Sequence, residues 1–126
     1  MKELTMTNAQ IRAMANVVVG KWSDFKGEIK LTGRQTYNLV TIKRKITELT
    51  SDINDSMMTI AERFNGDIHQ DGSISFPEDV ATQVNKEIVD VMNTEVTISF
   101  NPIAISEDDN LPVDLMESLF EFIEFE

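Results

Sequence analysis

Hydrophobic positions along this chain change period several times, and each change predicts an element. Leu4 and Met6 alternate with polar neighbours, the period-two signature of a short strand. Thr7-Asn8-Ala9-Gln10 then reads as a capping box. The threonine oxygen accepts from a free amide three residues on, and the glutamine side chain reaches back. Ile11, Met14, Ala15, Val18, Trp22 and Phe25 follow at helical spacing, so a first helix is expected from about Asn8 to about Gly20.

Lys26-Gly27-Glu28-Ile29-Lys30-Leu31 reads as a turn with a short strand. A second capping box, Thr32-Gly33-Arg34-Gln35, opens the strongest signal in the chain. Leu39, Ile42, Ile46, Leu49, Ile53, Met57, Ile60 and Phe64 recur every three or four residues, one apolar seam on a helix over about 33–64. Asn65-Gly66 is a fitting C-terminal stop. At about 1.5 Å per residue the helix is roughly 48 Å long. A helix of that length packs along several elements, projects, or meets a copy of itself.

Ile68, Ile74 and Phe76 flank His69-Gln70-Asp71-Gly72-Ser73, a hairpin tip. Ser75-Phe76-Pro77-Glu78 opens a third helix with proline in its first turn, and Val80, Val84, Ile88, Val91 and Met92 are its inner face. Val96, Ile98 and Phe100 alternate as a strand, Asn101-Pro102 bends it, and Ile103 and Ile105 continue it. After the solvated loop Glu107-Asp108-Asp109-Asn110, a last helix is expected from Pro112 to the C-terminus. The expected fold is α+β: four helices, one long, with a small antiparallel sheet, all in a single domain over 1–126.

The charges are sorted by position. Up to Lys45 there are nine Lys/Arg and three Asp/Glu; from Ile46 onward there are two Lys/Arg and nineteen Asp/Glu, and the net charge is −11. A field of that size governs which partners approach. A sequence pI near 4.4 argues against direct nucleic-acid binding, which draws on cations against phosphates. There is no cysteine, which removes disulfides, thiolate metal sites and cysteine nucleophiles together. Met1 to Thr7 hold no apolar run of the signal-peptide kind, and no stretch reaches the length of a membrane span. A soluble intracellular protein, without membrane association, is expected.

Little here points to catalysis. His69 stands alone on a predicted turn, no Gly-x-Ser-x-Gly elbow exists, and no glycine loop could cradle a phosphate. The expectation is a non-enzyme with no cofactor. Residues 67–78 do carry an EF-hand-like spacing, with Asp67, Asp71 and Glu78 as ligands at positions one, five and twelve. His69 stands where an oxygen ligand belongs, and Ile68 and Phe76 suit a hairpin instead. The hairpin is the preferred reading and a calcium-responsive module the alternative.

Lys21, Lys26, Lys30, Arg34, Lys43, Arg44 and Lys45 form a basic patch without interleaved aromatics. It is read as meeting acidic residues, within the chain or across an oligomer, in preference to phosphate. The C-terminal segment is the most suggestive surface. Asp114, Glu117, Glu121 and Glu124 fall on one stripe of the expected helix, and Asp108 and Asp109 precede it. Phe120 and Phe122 are the apolar anchors expected beside that charge. Acids at a helix C-terminus oppose the macrodipole, so the segment reads as a docking element for a basic, partly apolar groove. The methionines, Met57, Met58, Met92 and Met116 among them, read as core filler.

Leu4-Thr5-x-Thr7-Asn8-Ala9-Gln10-Ile11, Lys26-Gly27, the basic-to-acidic long helix, Asp71-Gly72-Ser73-Ile74, and Glu87 leading to Glu95-Val96 follow one another in order. In these pieces the chain resembles small uncharacterised proteins encoded in tailed-phage and prophage genomes. The resemblance implies a phage setting and the bacterial host cytosol, and carries no catalytic residues. Together these point to an acidic binding protein that blocks a basic surface of a host or phage protein, in the host case a nucleic-acid-handling or defence factor. Its carboxylates would imitate a phosphate backbone. An assembly component that forms a homo-oligomer through the long helix is the second reading.

Overall fold

The computed structural model describes residues 1–16, 31–106, 116–117 and 120–125. Strand β1 (Lys2–Thr7) runs into helix α1 (Asn8–Ala15), and the long helix α2 spans Gly33–Arg63. A hairpin of β2 (Asp67–Ile68) and β3 (Ile74–Ser75) leads through a 3-10 turn at Glu78–Val80 into α3 (Ala81–Met92). Strands β4 (Glu95–Phe100) and β5 (Ile103–Ile105) follow, and a 3-10 turn at Phe120–Phe122 precedes β6 (Ile123–Phe125). The architecture is α+β.

Both capping boxes form. Gln10 donates its backbone amide to the Thr7 hydroxyl at 3.2 Å and accepts from the Thr7 amide at 2.9 Å; Gln35 and Thr32 repeat the pattern with the same distances. Each box satisfies two amides that a helix start otherwise leaves bare. The far end of α2 closes as expected too. Asn65 takes a positive φ of 56°, and the Gly66 amide returns to the Ala61 carbonyl at 2.7 Å, a Schellman closure. A Cβ on Gly66 would sit 2.8 Å from both Ile74 and Phe76, so glycine here lets the hairpin fold back on the helix.

Every member of the α2 seam is buried or half-buried. Leu39, Ile42, Ile46 and Ile53 join Met6, Ile11, Ile98, Phe100, Ile103, Ile105, Phe122 and Ile123 in one apolar cluster. Strand β1 pairs antiparallel with β4, from Lys2 opposite Phe100 to Thr7 opposite Glu95. That register turns Leu4, Met6, Val96, Ile98 and Phe100 inward and leaves Thr5 and Thr97 to join hydroxyls outside at 2.8 Å. Asn8 fastens α1 to the end of α3, donating its side-chain amide to the Val91 carbonyl at 2.8 Å.

Three expectations are corrected. Ile103 and Ile105 do not extend β4: after Asn101-Pro102 the chain changes partner, and β5 pairs parallel with β6, Ile103 opposite Ile123 and Ile105 opposite Phe125. Among the described residues the strands thus form three separate pairs, two antiparallel and one parallel. Secondly, the last helix does not run to the C-terminus. Met116 and Glu117 are helical, but Phe120–Phe122 is a 3-10 turn and Ile123–Phe125 a strand, so the described residues hold three α-helices where four were expected. Phe122 and Ile123 are both buried, adjacent positions that the core takes together, and Ile123 begins the pairing with β5 opposite Ile103. Thirdly, Met58 is exposed, not core filler. The expected helix over 17–20, with Val18, and Trp22, Phe25, the turn at 26–30 and the loop at 107–110 fall outside the described residues, as do Pro112, Val113, Leu115 and Leu119. Among the described residues no helix is long and apolar enough to cross a membrane.

Candidate functional site

The C-terminal segment is pinned by Phe122, which is fully buried and meets the Phe100 ring edge-on at 5.0 Å and 68°. Phe122 was expected to be a partner anchor; the core takes it instead. Two residues earlier, Phe120 is 63% exposed, and Phe125 is exposed at the end of β6. Through the 3-10 turn and the strand, Phe122 and Ile123 turn inward while Phe120, Glu121, Glu124 and Phe125 stay exposed.

A groove lies on each side of this segment. The first holds about 560 Å³, between β1, α1 and the residues around the turn. Leu4, Met6, Ala13 and Met14 give it an apolar lining, Thr5 and Gln10 add hydrogen-bonding groups, and Glu117 and Glu121 supply two exposed carboxylates. Among the described residues no lysine or arginine lines it. The arrangement is an apolar trough with negative charge on one side, suited to a cationic side chain with an aliphatic stem.

The second groove, about 770 Å³, lies between the first turns of α2, the bend at Asn101-Pro102, and β6. It is polar. Arg34, Tyr37 and Asn38 face it from the helix, Asn101 and Ser106 from around β5, and Glu124 from β6. Two buried amides build its wall: Gln35 donates to the Ala104 carbonyl at 2.7 Å and Asn38 to that of Pro102 at 3.3 Å. These bonds tie β5 to the helix start.

The four-residue stripe expected on a continuous helix is therefore divided. Glu117 and Glu121 line the apolar groove, whereas Glu124 lines the polar one beside Arg34. Asp108, Asp109 and Asp114 lie outside the described residues. So do Lys21, Lys26 and Lys30. Of the rest of the basic patch, Arg34 and Arg44 are exposed and Lys43 is half-buried, and Lys45 gives its ammonium to the Ser99 carbonyl of β4. Among the described residues one ion pair forms, Arg63 with Glu87, and neither belongs to the basic patch or to the C-terminal segment.

Residues 67–75 form the hairpin, and Glu78 opens the 3-10 turn that follows. Asp71 accepts from the Ser73 hydroxyl at 2.6 Å and from the Ser73 amide at 3.0 Å, and those bonds hold its carboxyl below the usual carboxylate range. The His69 ring meets the Ser75 hydroxyl, and Gly72 supplies the positive φ of 88° at the tip. Asp67 lies in β2 and Glu78 in the turn before α3, and among the described residues no group of three acids or histidines converges as a metal site would require.

The part of the site that periodicity missed is its floor. Leu4, Met6 and Met14 read as core positions, and they do pack on the core, yet their outer surfaces line the groove. The polar groove was not anticipated; the buried Gln35 and Asn38, polar residues beside an apolar seam, are the signal that marked it. Comparison with protein-family models, with curated proteins and with solved structures finds no match.

Proposed function

We propose that this chain is a non-enzymatic, acidic binding protein whose C-terminal face docks on a basic, partly apolar surface of another protein and blocks it. The observation that carries this reading is the groove in which Leu4, Met6 and Met14 lie beside Glu117 and Glu121, with no cation among its described lining residues. A lysine or arginine of the partner would lay its aliphatic stem on the methionines and its charge against the carboxylates, and exposed Phe120 would contact the surface alongside. The net charge of −11 supports fast, steered encounter with a cationic target.

The resemblance to small phage and prophage proteins gives the reading its setting: the bacterial cytosol, with a host nucleic-acid-handling or defence protein as the target. A row of carboxylates in place of phosphates is then the means of occupying the target's site. The test is affinity capture from bacterial lysate at low and high salt, comparing the native chain with Glu117→Gln/Glu121→Gln. A partner held by the native chain at low salt, released at high salt and lost from the double variant supports the proposal. Equal capture by both chains removes it.

A further inference from the structure

The outer face of α2, which points away from the core, is nearly a mirror of itself in position and an opposite in charge. Tyr37, Val40 and Arg44 are spaced by three and four residues; Asp55, Met58 and Glu62, after a gap of eleven, repeat that spacing. Steps of three, four and eleven all return to one face of a helix. That face lies opposite the buried Leu39, Ile42, Ile46, Ile53 and Ile60. All six residues are exposed, with Tyr37 at 66%, Val40 at 44% and Met58 at 41%. None of their charges enters an ion pair among the described residues.

We propose that this stripe is a self-association surface, on which a second copy of the chain lies antiparallel. Rotating α2 by half a turn about an axis between Leu49 and Thr50 sets Arg44 opposite Asp55 of the second copy and Tyr37 opposite its Glu62. The same rotation sets Val40 against its Met58 and Thr59. Every contact occurs twice, as a two-fold interface requires. Opposite ends of a single helix thus carry opposite charges and matching apolar residues, and only the antiparallel arrangement satisfies both. Glu48 and Ser51 lie near the axis and supply no apolar contact, so the pairing rests on the two ends. The stripe shares no residue with the groove of Leu4, Met6 and Met14, so this inference stands apart from the docking proposal.

The discriminating experiment is a charge exchange read by sedimentation equilibrium of the full chain over a concentration series. Arg44→Glu sets two acids against each other at both symmetric contacts, and Asp55→Arg sets two bases. Each is expected to weaken the dimer about ten-fold, from pairwise terms of a surface ion pair counted twice. Arg44→Glu/Asp55→Arg is expected to restore it. Asp55→Arg is the more telling single change: it makes the strongly negative net charge less negative, so a dimer limited by overall repulsion would tighten, whereas a dimer built on these contacts loosens. Val40→Lys, Met58→Glu and their combination repeat the logic on the apolar pair, and serve if a charge variant melts early. A native chain that stays monomeric throughout overturns the proposal, as does a combined variant that dimerises no better than either of its parents.

Discussion

The two grooves beside the C-terminal segment share that segment as a wall and differ in almost everything else. One is lined by Leu4, Met6 and Met14 with Glu117 and Glu121 beside them; the other is walled by amides and carries both Arg34 and Glu124. An apolar floor beside two exposed carboxylates, with no lysine or arginine among its described lining residues, matches a cation with an aliphatic stem on both counts. In the polar groove the buried amides already have partners within the fold, through Ala104 and Pro102. The proposed reading follows from that contrast: Gln35 and Asn38 fasten β5 to α2, whereas Glu117 and Glu121 are not engaged in any ion pair among the described residues.

The strongest way to break this comparison is to remove the wall. Phe122→Ala deletes a fully buried ring against Phe100 and is expected to cost about 3–5 kcal/mol, the range for buried aromatic truncation. Chemical denaturation measures it, and loss of β6 should degrade both grooves together. Gln35→Ala strikes only the polar side. It removes the donor to Ala104 and half of a capping box, and about 1–3 kcal/mol of stability should go with it. Amide exchange is then expected to quicken in β5 while β1 stays protected. Thr32→Ala removes the hydroxyl of that same box and is expected to cost about 1 kcal/mol, read as a lower melting temperature.

The smallest effect is expected far from either groove. The Asp71 carboxyl is held below its ordinary range first by the Ser73 hydroxyl and then by the Ser73 amide. A depressed carboxyl gives stability that is complete above its unfolded value and disappears as pH falls through the folded one. Acidification below the ordinary carboxylate range should loosen the hairpin tip locally, visible in the Gly72 and Ser73 amide signals by NMR. Asp71→Asn should abolish that pH dependence while leaving both grooves intact.

Much of this fold is legible in the residues because several signals there have a single physical solution. Thr7 with Gln10, and Thr32 with Gln35, specify helix starts through reciprocal hydrogen bonds that no strand can offer. The α2 seam persists over so many turns that only a helix keeps it on one face. The C-terminal residues lack that redundancy. Phe120-Glu121-Phe122-Ile123-Glu124-Phe125 fits a helical stripe through its acids, while its apolar residues Phe120, Phe122, Ile123 and Phe125 keep no single period. A short apolar run is ambiguous in this way until a tertiary partner decides, and here the partner is β5. Ile103 and Ile105 gave no hint of a parallel mate so distant in sequence. The acids at a helix C-terminus, which oppose the macrodipole, were the local sign that the helix would not persist. The apolar groove was half legible: its charge is plain in the sequence, while its floor could not be told from core until β1 and α1 were set side by side.

The central claim is that Glu117 and Glu121, and not Glu124, face an outside cation. Its most direct test is titration of the native chain with a lysine- and leucine-rich amphipathic peptide, followed by NMR. The account predicts salt-sensitive shifts at Leu4, Met6, Met14, Glu117 and Glu121, abolished by Glu117→Gln/Glu121→Gln and retained in Glu124→Gln. Shifts centred on Arg34, Tyr37 and Glu124, or binding that survives the double substitution unchanged, would contradict it.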